Sequence, residues 1–254
     1  MQAIKQKKEK LGRSALLDCL RGFTVVSMVL YHAMWDMVNM FGANVPWFYD
    51  VRGFVWQQAI CCTFILLSGF CSAFGSRPIR RGAMVLVLGA AISAVTILVM
   101  PEEIILFGIL TLIGSCMMFV GITKKYLVRI PAWTGLILSF LLFAFFRNVN
   151  KGTVGLFFAE MIELPKELYR SYLTAYLGFP HAAFRSADYF SVIPWIFLFC
   201  CGFFLFRICG ERVLSVRWKG ISVLNLIGRK ALLIYVLHQP ILYGLMLLCK
   251  GSMG

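Results

Sequence analysis

The chain has 254 residues, of which 60% are hydrophobic and 14% are charged, and its mean hydropathy is +0.82. These values exclude an ordinary soluble domain and predict an all-α, polytopic helical membrane protein. The formal net charge of +14 would suggest nucleic-acid binding in a soluble protein. Here Lys and Arg lie mainly in short loops between apolar segments, as the positive-inside rule expects, so we predict a lipid bilayer and no nucleic acid as partner.

The first apolar segment, residues 16–40, carries the main candidate site. Its twenty-five residues span roughly 37 Å at about 1.5 Å each, which is enough to cross a bilayer with some tilt. The basic residues 5–13 before it resemble the start of a signal peptide. The apolar run is too long for a signal peptide and no small-residue cleavage site follows it, so we interpret it as a retained first span.

Four ionisable residues lie in this span: Asp18, Arg21, His32 and Asp36. Eleven positions separate Arg21 from His32, close to three helical turns, so the two side chains project in nearly the same direction. Asp18 and Asp36 fall within about 60° of that line. Because ionisable groups at membrane depth cost about 2.5–3.5 kcal/mol each on insertion scales, this polar stripe indicates a functional site.

His32 and Asp36 are spaced i,i+4, so the carboxylate can reach the imidazole. A carboxylate on one ring nitrogen fixes the tautomer and leaves the other nitrogen basic, as in general-base catalysis. The alternative is a pair that only fixes helix packing.

Six further spans follow, which gives about seven transmembrane helices. The segment 147–188 is mostly too polar to span, and we predict a single transmembrane domain over 1–254 in which this segment is extracytoplasmic. Residues 221–228 are predicted to lie along the inner membrane surface. The six spans are residues 53–74, 83–100, 104–123, 131–146, 189–208 and 229–248.

The orientation follows from four basic stretches: the N-terminus, 77–81, 124–129 and 207–219. Alternation of the spans places all four on one side, which the positive-inside rule identifies as the cytoplasm. Three arginines of the second stretch could bind phosphates at the level of Arg21, since guanidinium groups commonly do. Topology determination alone is the alternative explanation. These arginines are Arg77, Arg80 and Arg81.

His238 and Gln239 form a second polar position, in the middle of the last span. Pro240 frees the carbonyl of Val236, because proline has no N–H to donate, and a local polar opening follows. A simple helix–helix hydrogen bond is an equally good explanation of His238.

Other polar and aromatic residues are predicted on the outer side. Gln57 and Gln58 could line an outer cavity. Tyrosines of the segment 147–188 and Tyr189 could stack on a sugar, although an interfacial aromatic belt explains them equally well. The nine cysteines include no CxxC pair and predict neither a disulfide framework nor a metal site.

Ordered motifs along the chain resemble a known family. The motif Leu17-Asp18-x-x-Arg21-Gly22, the ten residues between Arg21 and His32, and then Asp36 resemble the first helix of the heparan-α-glucosaminide N-acetyltransferase catalytic-domain family in its compact bacterial form. The same opening is similar to that of the membrane acyltransferases of acyltransferase family 3. The match continues through Phe64-Ile65-Leu66-Leu67-Ser68-Gly69-Phe70, Ile109-Leu110-x-Leu112-Ile113-Gly114, Ser186-x-Asp188-Tyr189-Phe190, Pro194-Trp195 and Leu237-His238-Gln239-Pro240.

This resemblance implies transfer of an acetyl group from cytoplasmic acetyl-CoA to an amino or hydroxyl group of an extracytoplasmic glycan or amino sugar. His32, oriented by Asp36, would either deprotonate the acceptor or briefly carry the acetyl group. Acetyl-CoA is the implied co-substrate, and no metal is predicted. The implied acyl-CoA path is formed by Asp18, Arg21, Ser68, Arg77, Arg80 and Arg81. The implied acceptor cavity is formed by Gln57, Gln58, Asp188, Tyr189, His238 and Gln239.

The chain also departs from its larger animal relatives. Their essential histidine lies beyond the position that matches His32, in a stretch where this chain has Ala43. The chain also lacks their luminal domain, so the expected acceptor is a bacterial envelope glycan rather than heparan, and the expected location is a bacterial cytoplasmic membrane.

Two other functions fit the same polar residues. A proton-coupled transporter or flippase would also use a path lined by Arg, His and Asp. A haem protein would use His32 and His238 as axial ligands. Small residues on the spans permit close helix packing and leave a homodimer open.

Overall fold

The computed structural model describes residues 14–156 and 159–251 and is 74% helical, with nearly no strand. Seven of its helices are long and apolar enough to cross a membrane, by length and composition. This confirms the predicted all-α, polytopic membrane protein with about seven transmembrane helices. The basic residues 5–13 lie outside the described residues, and the cytoplasmic placement of the N-terminus stays a prediction.

The described chain contains long helices joined by short turns, with one irregular segment between α5 and α7. The helices are α1 (Ala15–Asn39), α2 (Val51–Phe74), α3 (Pro78–Val99), α4 (Ile109–Leu127), α5 (Ala132–Phe145), α6 (Tyr172–Leu177), α7 (Val192–Ser215), α8 (Ser222–Arg229) and α9 (Ala231–Gly251). Strands β1 (Thr153–Val154) and β2 (Ile162–Glu163) pair antiparallel. Short 3-10 turns lie at Pro46–Tyr49, Pro101–Glu103, Val149–Lys151 and Lys166–Leu168.

Two of the spans begin five residues away from the predicted start. α3 begins at Pro78 rather than near position 83, because the fixed φ of proline suits the first turn of a helix. α4 begins at Ile109 rather than at position 104, because backbone hydrogen bonds hold residues 104–108 outside the helix. The N–H groups of Ala187 and Phe190 each donate to carbonyls of this stretch at 2.9 Å.

The described chain divides into two compact units. Unit 1 comprises residues 14–64 and 211–251, and therefore α1, the first part of α2, the end of α7, α8 and α9. Unit 2 comprises residues 65–210, with the rest of α2, α3 to α6 and most of α7. The single domain predicted over 1–254 stays a prediction.

In unit 1, α8 packs directly on the first turns of α1 through two glycines. A Cβ at Gly22 would lie 2.0 Å from the carbonyl oxygen of Leu224, and one at Gly228 would lie 1.9 Å from that of Asp18. Only glycine permits two helix backbones to approach this closely. Residues 221–228 therefore pack on α1, and their predicted place along the inner membrane surface stays a prediction.

In unit 2, basic side chains cap the carboxyl ends of helices. Nζ of Lys124 donates to the carbonyl of Ala73 at 2.8 Å, near the end of α2. Nη1 of Arg207, on α7, donates to the carbonyl of Leu127 at 3.1 Å, at the end of α4. Cations stabilise helix carboxyl ends. These contacts bring the basic ends of three helices together, which agrees with one common side for the basic loops of this unit.

Candidate active site

The polar residues of α1 lie on a helix that begins after Ser14, whose Oγ accepts a hydrogen bond from the N–H of Leu17 at 3.5 Å. Two carboxylates of this helix are buried: Asp18 is 2% exposed and Asp36 is 0% exposed. A buried carboxylate needs a hydrogen-bond donor or a cation beside it. In unit 1 the C-terminal helices α8 and α9 supply such groups.

Asp36 is hydrogen-bonded by Gln239 of α9. Nε2 of Gln239 donates to Oδ1 of Asp36 at 2.6 Å. Because a carboxylate accepts, this contact fixes the amide so that Nε2 faces Asp36 and Oε1 points elsewhere. The sequence names both residues but does not indicate that they meet. The contact between Asp36 and His32 that the i,i+4 spacing predicts stays a prediction.

One turn closer to the start of α1, His32 lies against His238 of α9. The two ring centroids are 4.8 Å apart and the ring planes make an angle of 61°, an edge contact. The sequence predicts both histidines near the middle of their spans, and the structure brings them together. Rings in direct contact leave no room for a porphyrin between them, so the geometry argues against haem ligation by this pair.

One ring nitrogen of His238 is hydrogen-bonded, and the other is buried without a hydrogen-bond partner among the described residues. Nδ1 lies 2.6 Å from the carbonyl oxygen of Tyr235, and a carbonyl only accepts, so Nδ1 carries the hydrogen. Nε2 then presents a lone pair. It is buried and has no hydrogen-bond partner among the described residues, and the same is true of Oε1 of Gln239. A ligand with N–H or O–H groups would satisfy both acceptors.

At the start of α1, Asp18 forms salt bridges with two arginines. Nη1 of Arg21 lies 3.0 Å from Oδ1 of Asp18, and Nε of Arg229 lies 3.5 Å from Oδ2. Nη1 of Arg21 also donates to the carbonyl of Gly228 at 3.5 Å. The side chains of Arg21 and Arg229 are 25% and 51% exposed, against 3% for Asp18. One buried carboxylate thus positions two partly exposed cations.

Arg229 is a residue that sequence reasoning missed. It lies at the end of α8, directly before Lys230 and the last span, where a basic pair reads as a topology signal. The close glycine contact between α8 and α1 places Arg229 beside Asp18, and no local sequence pattern predicts that contact.

An aromatic cluster flanks His32 and was also missed. The ring centroid of Tyr31 lies 6.0 Å from that of His32, 5.1 Å from that of Phe48 and 5.2 Å from that of Trp56. Nε1 of Trp56 donates to Oγ of Ser27 at 2.8 Å, which fixes the start of α2 against α1. In the sequence these residues cannot be told from ordinary membrane-interface aromatics.

Gln57 and Gln58, also in unit 1, are both partly exposed. Nε2 of Gln58 donates to Oε1 of Gln57 at 3.4 Å. Their place in an outer cavity stays a prediction.

Asp188 and Tyr189, in unit 2, make contacts with the fold. Oδ2 of Asp188 accepts the N–H of Ile109 at 3.3 Å, at the start of α4, where a carboxylate suits the helix dipole. The hydroxyl of Tyr189 donates to the carbonyl of Ala175. Burial raises the pKa of Tyr189 to about 12, so its hydroxyl stays neutral. Their predicted role in acceptor binding stays a prediction.

The remaining predicted acyl-CoA residues lie in unit 2 as well. Ser68 is partly exposed on α2. The three arginines around the start of α3 are exposed, and the first of them has a left-handed φ of 53° directly before Pro78. Their role in binding phosphates stays a prediction. They are Arg77, Arg80 and Arg81.

A family model described as "Heparan-alpha-glucosaminide N-acetyltransferase, catalytic" matches residues 13–240. The chain belongs to this family. The match covers most of the chain and includes both ends of the polar face of α1 and the His238–Gln239 pair. No curated protein and no solved structure shows a significant match.

Membership of this N-acetyltransferase family confirms the resemblance predicted from the motifs. The protein is therefore a transmembrane acetyltransferase in general terms, and enzymes of this family use acetyl-CoA as the donor. It is an integral, multi-pass membrane protein whose implied partners are the lipid bilayer, acetyl-CoA and an acceptor.

Proposed function

We propose that this protein transfers the acetyl group of cytoplasmic acetyl-CoA to an amino or hydroxyl group of an extracytoplasmic glycan or amino sugar. The observation that carries the proposal is the contact of His32 with His238, beside the buried bond between Asp36 and Gln239. In a chain of an acetyltransferase family, two histidines that meet inside an apolar bundle are the groups best suited to move a proton or an acyl group.

His32 acts in one of two ways. As a general base, it takes a proton from the acceptor while the acceptor attacks the thioester carbonyl and coenzyme A leaves as the thiolate. As a nucleophile, it first receives the acetyl group on a ring nitrogen and then passes it to the acceptor. Trapping of a labelled acetyl-enzyme formed with acetyl-CoA alone would support the second route.

The His32→Ala variant tests the main claim. With acetyl-CoA and glucosamine as the trial acceptor, we expect transfer by the purified protein to fall by about 10²–10⁴-fold, the usual contribution of a positioned acid–base group. His181→Ala is the matched control, because His181 belongs to unit 2 and its ring lies against Tyr172 and Phe184. Full activity of His32→Ala would overturn the proposal.

Arg21 and Arg229 are the proposed ligands for the phosphates of acetyl-CoA. About eleven residues of helical rise, or roughly 16 Å, separate Arg21 from His32, a distance that the extended pantetheine arm can span along α1. The accessible guanidinium groups beside the buried Asp18 supply fixed donors for a phosphate.

The Arg21→Ala variant tests this donor site. We expect it to raise the Kd of acetyl-CoA by about 10–100-fold, as for the loss of a hydrogen bond to a charged group. Arg52→Ala is the control in the same unit, since Arg52 is exposed and its guanidinium pairs with Asp50. Equal affinity of the Arg21→Ala and Arg52→Ala variants, measured by equilibrium binding, would rule out this role of Arg21.

A transporter or flippase is the second candidate, because a line of polar side chains through one unit also suits a proton-coupled path. It predicts flux of the substrate across liposomes in the absence of acetyl-CoA. Membership of an acetyltransferase family favours the enzyme.

The proposal includes the membrane in which the protein lies and its oligomeric state. We propose a bacterial cytoplasmic membrane with the N-terminus in the cytoplasm and the segment 147–188 outside, where the glycan acceptor would be met. A homodimer is compatible with the many small residues of the spans.

A further inference from the structure

We propose that His238 is a second catalytic residue, the base that takes the proton from the attacking nitrogen or oxygen of the acceptor at its Nε2 atom. The inference rests on the proposed function and extends it, because it gives the two histidines separate tasks. Of the two routes for His32 it takes the nucleophilic one: His32 receives the acetyl group from acetyl-CoA, and His238 deprotonates the acceptor.

The tautomer of His238 is the first argument. The Tyr235 carbonyl, 2.6 Å from Nδ1, holds the ring hydrogen on that atom, so the lone pair is on Nε2. This is the form in which an imidazole accepts a proton. The residue is only 8% exposed, and Nε2 has no partner among the described residues. A buried acceptor without a donor is rare in a fold unless a ligand satisfies it.

The place of Nε2 is the second argument. The His238 ring is in edge contact with His32, so a group bound at Nε2 is close to the residue that we propose handles the acetyl group. Gln239 faces Asp36, one turn further along the same face of α1. The bond to Asp36 keeps the Gln239 amide from rotating and leaves Oε1 as a second buried acceptor. Nε2 of His238 and Oε1 of Gln239 are thus two buried acceptors on neighbouring residues, each without a donor among the described residues.

In the first step, a ring nitrogen of His32 bonds to the acetyl carbonyl carbon, the carbon–sulfur bond breaks, and coenzyme A leaves as the thiolate. The lone pair of the acceptor nitrogen or oxygen then forms a bond to the acetyl carbonyl carbon, and the proton of that atom moves to Nε2 of His238. The bond between that carbon and the His32 nitrogen breaks, and its electron pair returns to the nitrogen. The His238 imidazolium then returns its proton to the thiolate or to water, so the net products are the acetylated acceptor and coenzyme A.

Two substitutions separate a base from a structural histidine. His238→Asn keeps an N–H near the position of Nδ1, facing the Tyr235 carbonyl, and removes Nε2. His238→Gln places an amide group near the position of Nε2, which can bind the acceptor but cannot take a proton. His181→Gln is the control, and glucosamine and hydroxylamine are the trial acceptors. Hydroxylamine is a neutral, strong nucleophile at neutral pH and attacks without a base.

If His238 is the base, kcat with glucosamine falls by about 10²–10⁴-fold in both His238 variants. The Kd of acetyl-CoA and the transfer to hydroxylamine stay close to those of the unsubstituted protein.

Three results would overturn the inference. Activity of His238→Asn would show that Nε2 is not needed, and activity of His238→Gln alone would show that His238 only positions the acceptor. Loss of acetyl-CoA binding in both variants would show a role in folding or donor binding instead of proton transfer. The proposed function has a different failure, since it fails if His32→Ala retains full transfer whatever the His238 variants do.

Discussion

Each buried charge of unit 1 is matched by a side chain that arrives from the other end of the chain. Asp36 receives the amide of Gln239, and Asp18 receives the guanidinium of Arg229 in addition to that of Arg21. A carboxylate in an apolar bundle is costly unless donors surround it, so the polar side chains of α1 require α8 and α9 beside them. The same contacts carry His238 to His32 and so assemble the candidate site.

The Gln239→Leu substitution tests how much the hydrogen bond between Gln239 and Asp36 contributes to stability. The substitution removes a hydrogen bond to a buried carboxylate, so we expect the free energy of unfolding to fall by about 1.5–3 kcal/mol. Unfolding in mixed micelles measures the change.

Asn39→Ala is the control one turn beyond Asp36 on α1, since the contacts of its amide are exposed: it donates to the carbonyl of Trp35 and accepts from the hydroxyl of Tyr49. A Gln239→Leu variant as stable as Asn39→Ala would contradict a stabilising role for the Asp36 contact.

At the scale of elements, the short helix α8 decides where the polar residues of α1 can act. Its glycine contact with α1 leaves no space for a side chain, so the position of α8 along the axis of α1 is fixed. Arg229 ends this helix, and α9 begins two residues later and carries His238 to the level of His32. The close crossing of α8 and α1 thus positions both the arginines proposed to bind phosphate and the two histidines of the proposed catalytic site.

Gly228→Ala tests that crossing. The added Cβ would lie 1.9 Å from the backbone carbonyl oxygen of Asp18, which has no flexible end that could move aside. We expect α8 to shift and the free energy of unfolding to fall by about 1–3 kcal/mol, as in an overpacked core. Because Arg229 would shift with it, the affinity for acetyl-CoA should fall as well, which equilibrium binding measures.

Gly244→Ala, on α9, is the matched control. A Cβ at Gly244 meets nothing within 4 Å, and alanine favours the helix over glycine by up to about 1 kcal/mol. We expect this variant to be as stable as the unsubstituted protein or more so. Equal effects of the two substitutions would show that the α1–α8 contact is not tight.

At the scale of the whole molecule, two compact units carry different parts of the predicted chemistry. Unit 1 contains the paired histidines and the arginines on Asp18, whereas unit 2 contains the arginines at the start of α3 and the segment 147–188. Within unit 2, Lys124 and Arg207 cap helix ends that meet at one end of the bundle. Basic residues there serve helix capping as well as the positive-inside rule.

Reporter fusions test the proposed orientation. Alkaline phosphatase, which is active only outside the cytoplasm, should be inactive when fused after Val128, in the basic loop behind α4. It should be active when fused after Leu168, in the outer segment. A green fluorescent protein at the same two positions should give the opposite pattern, and the reverse of both patterns would contradict a cytoplasmic N-terminus.

The amino-acid sequence by itself determined the class of protein, the seven spans and the family. Long apolar runs indicate membrane spans because a residue in lipid must be apolar or have its polar groups hydrogen-bonded within the protein. This requirement applies to each segment separately, so it can be recognised in the sequence of that segment. The polar stripe of α1 was visible for the same reason, since ionisable residues stand out against an apolar background. Even the motif around His238 and Gln239 could be named from its position in a span.

Only the tertiary structure decided which of these residues meet. Three contacts join positions about two hundred residues apart. They are the hydrogen bond from Gln239 to Asp36, the contact between His32 and His238, and the salt bridge between Arg229 and Asp18. Helical periodicity fixes the direction of a side chain on its own helix, but not the neighbour that the direction selects. In unit 1 that neighbour is set by a backbone contact through Gly22 and Gly228, and glycines leave no pattern that would predict it.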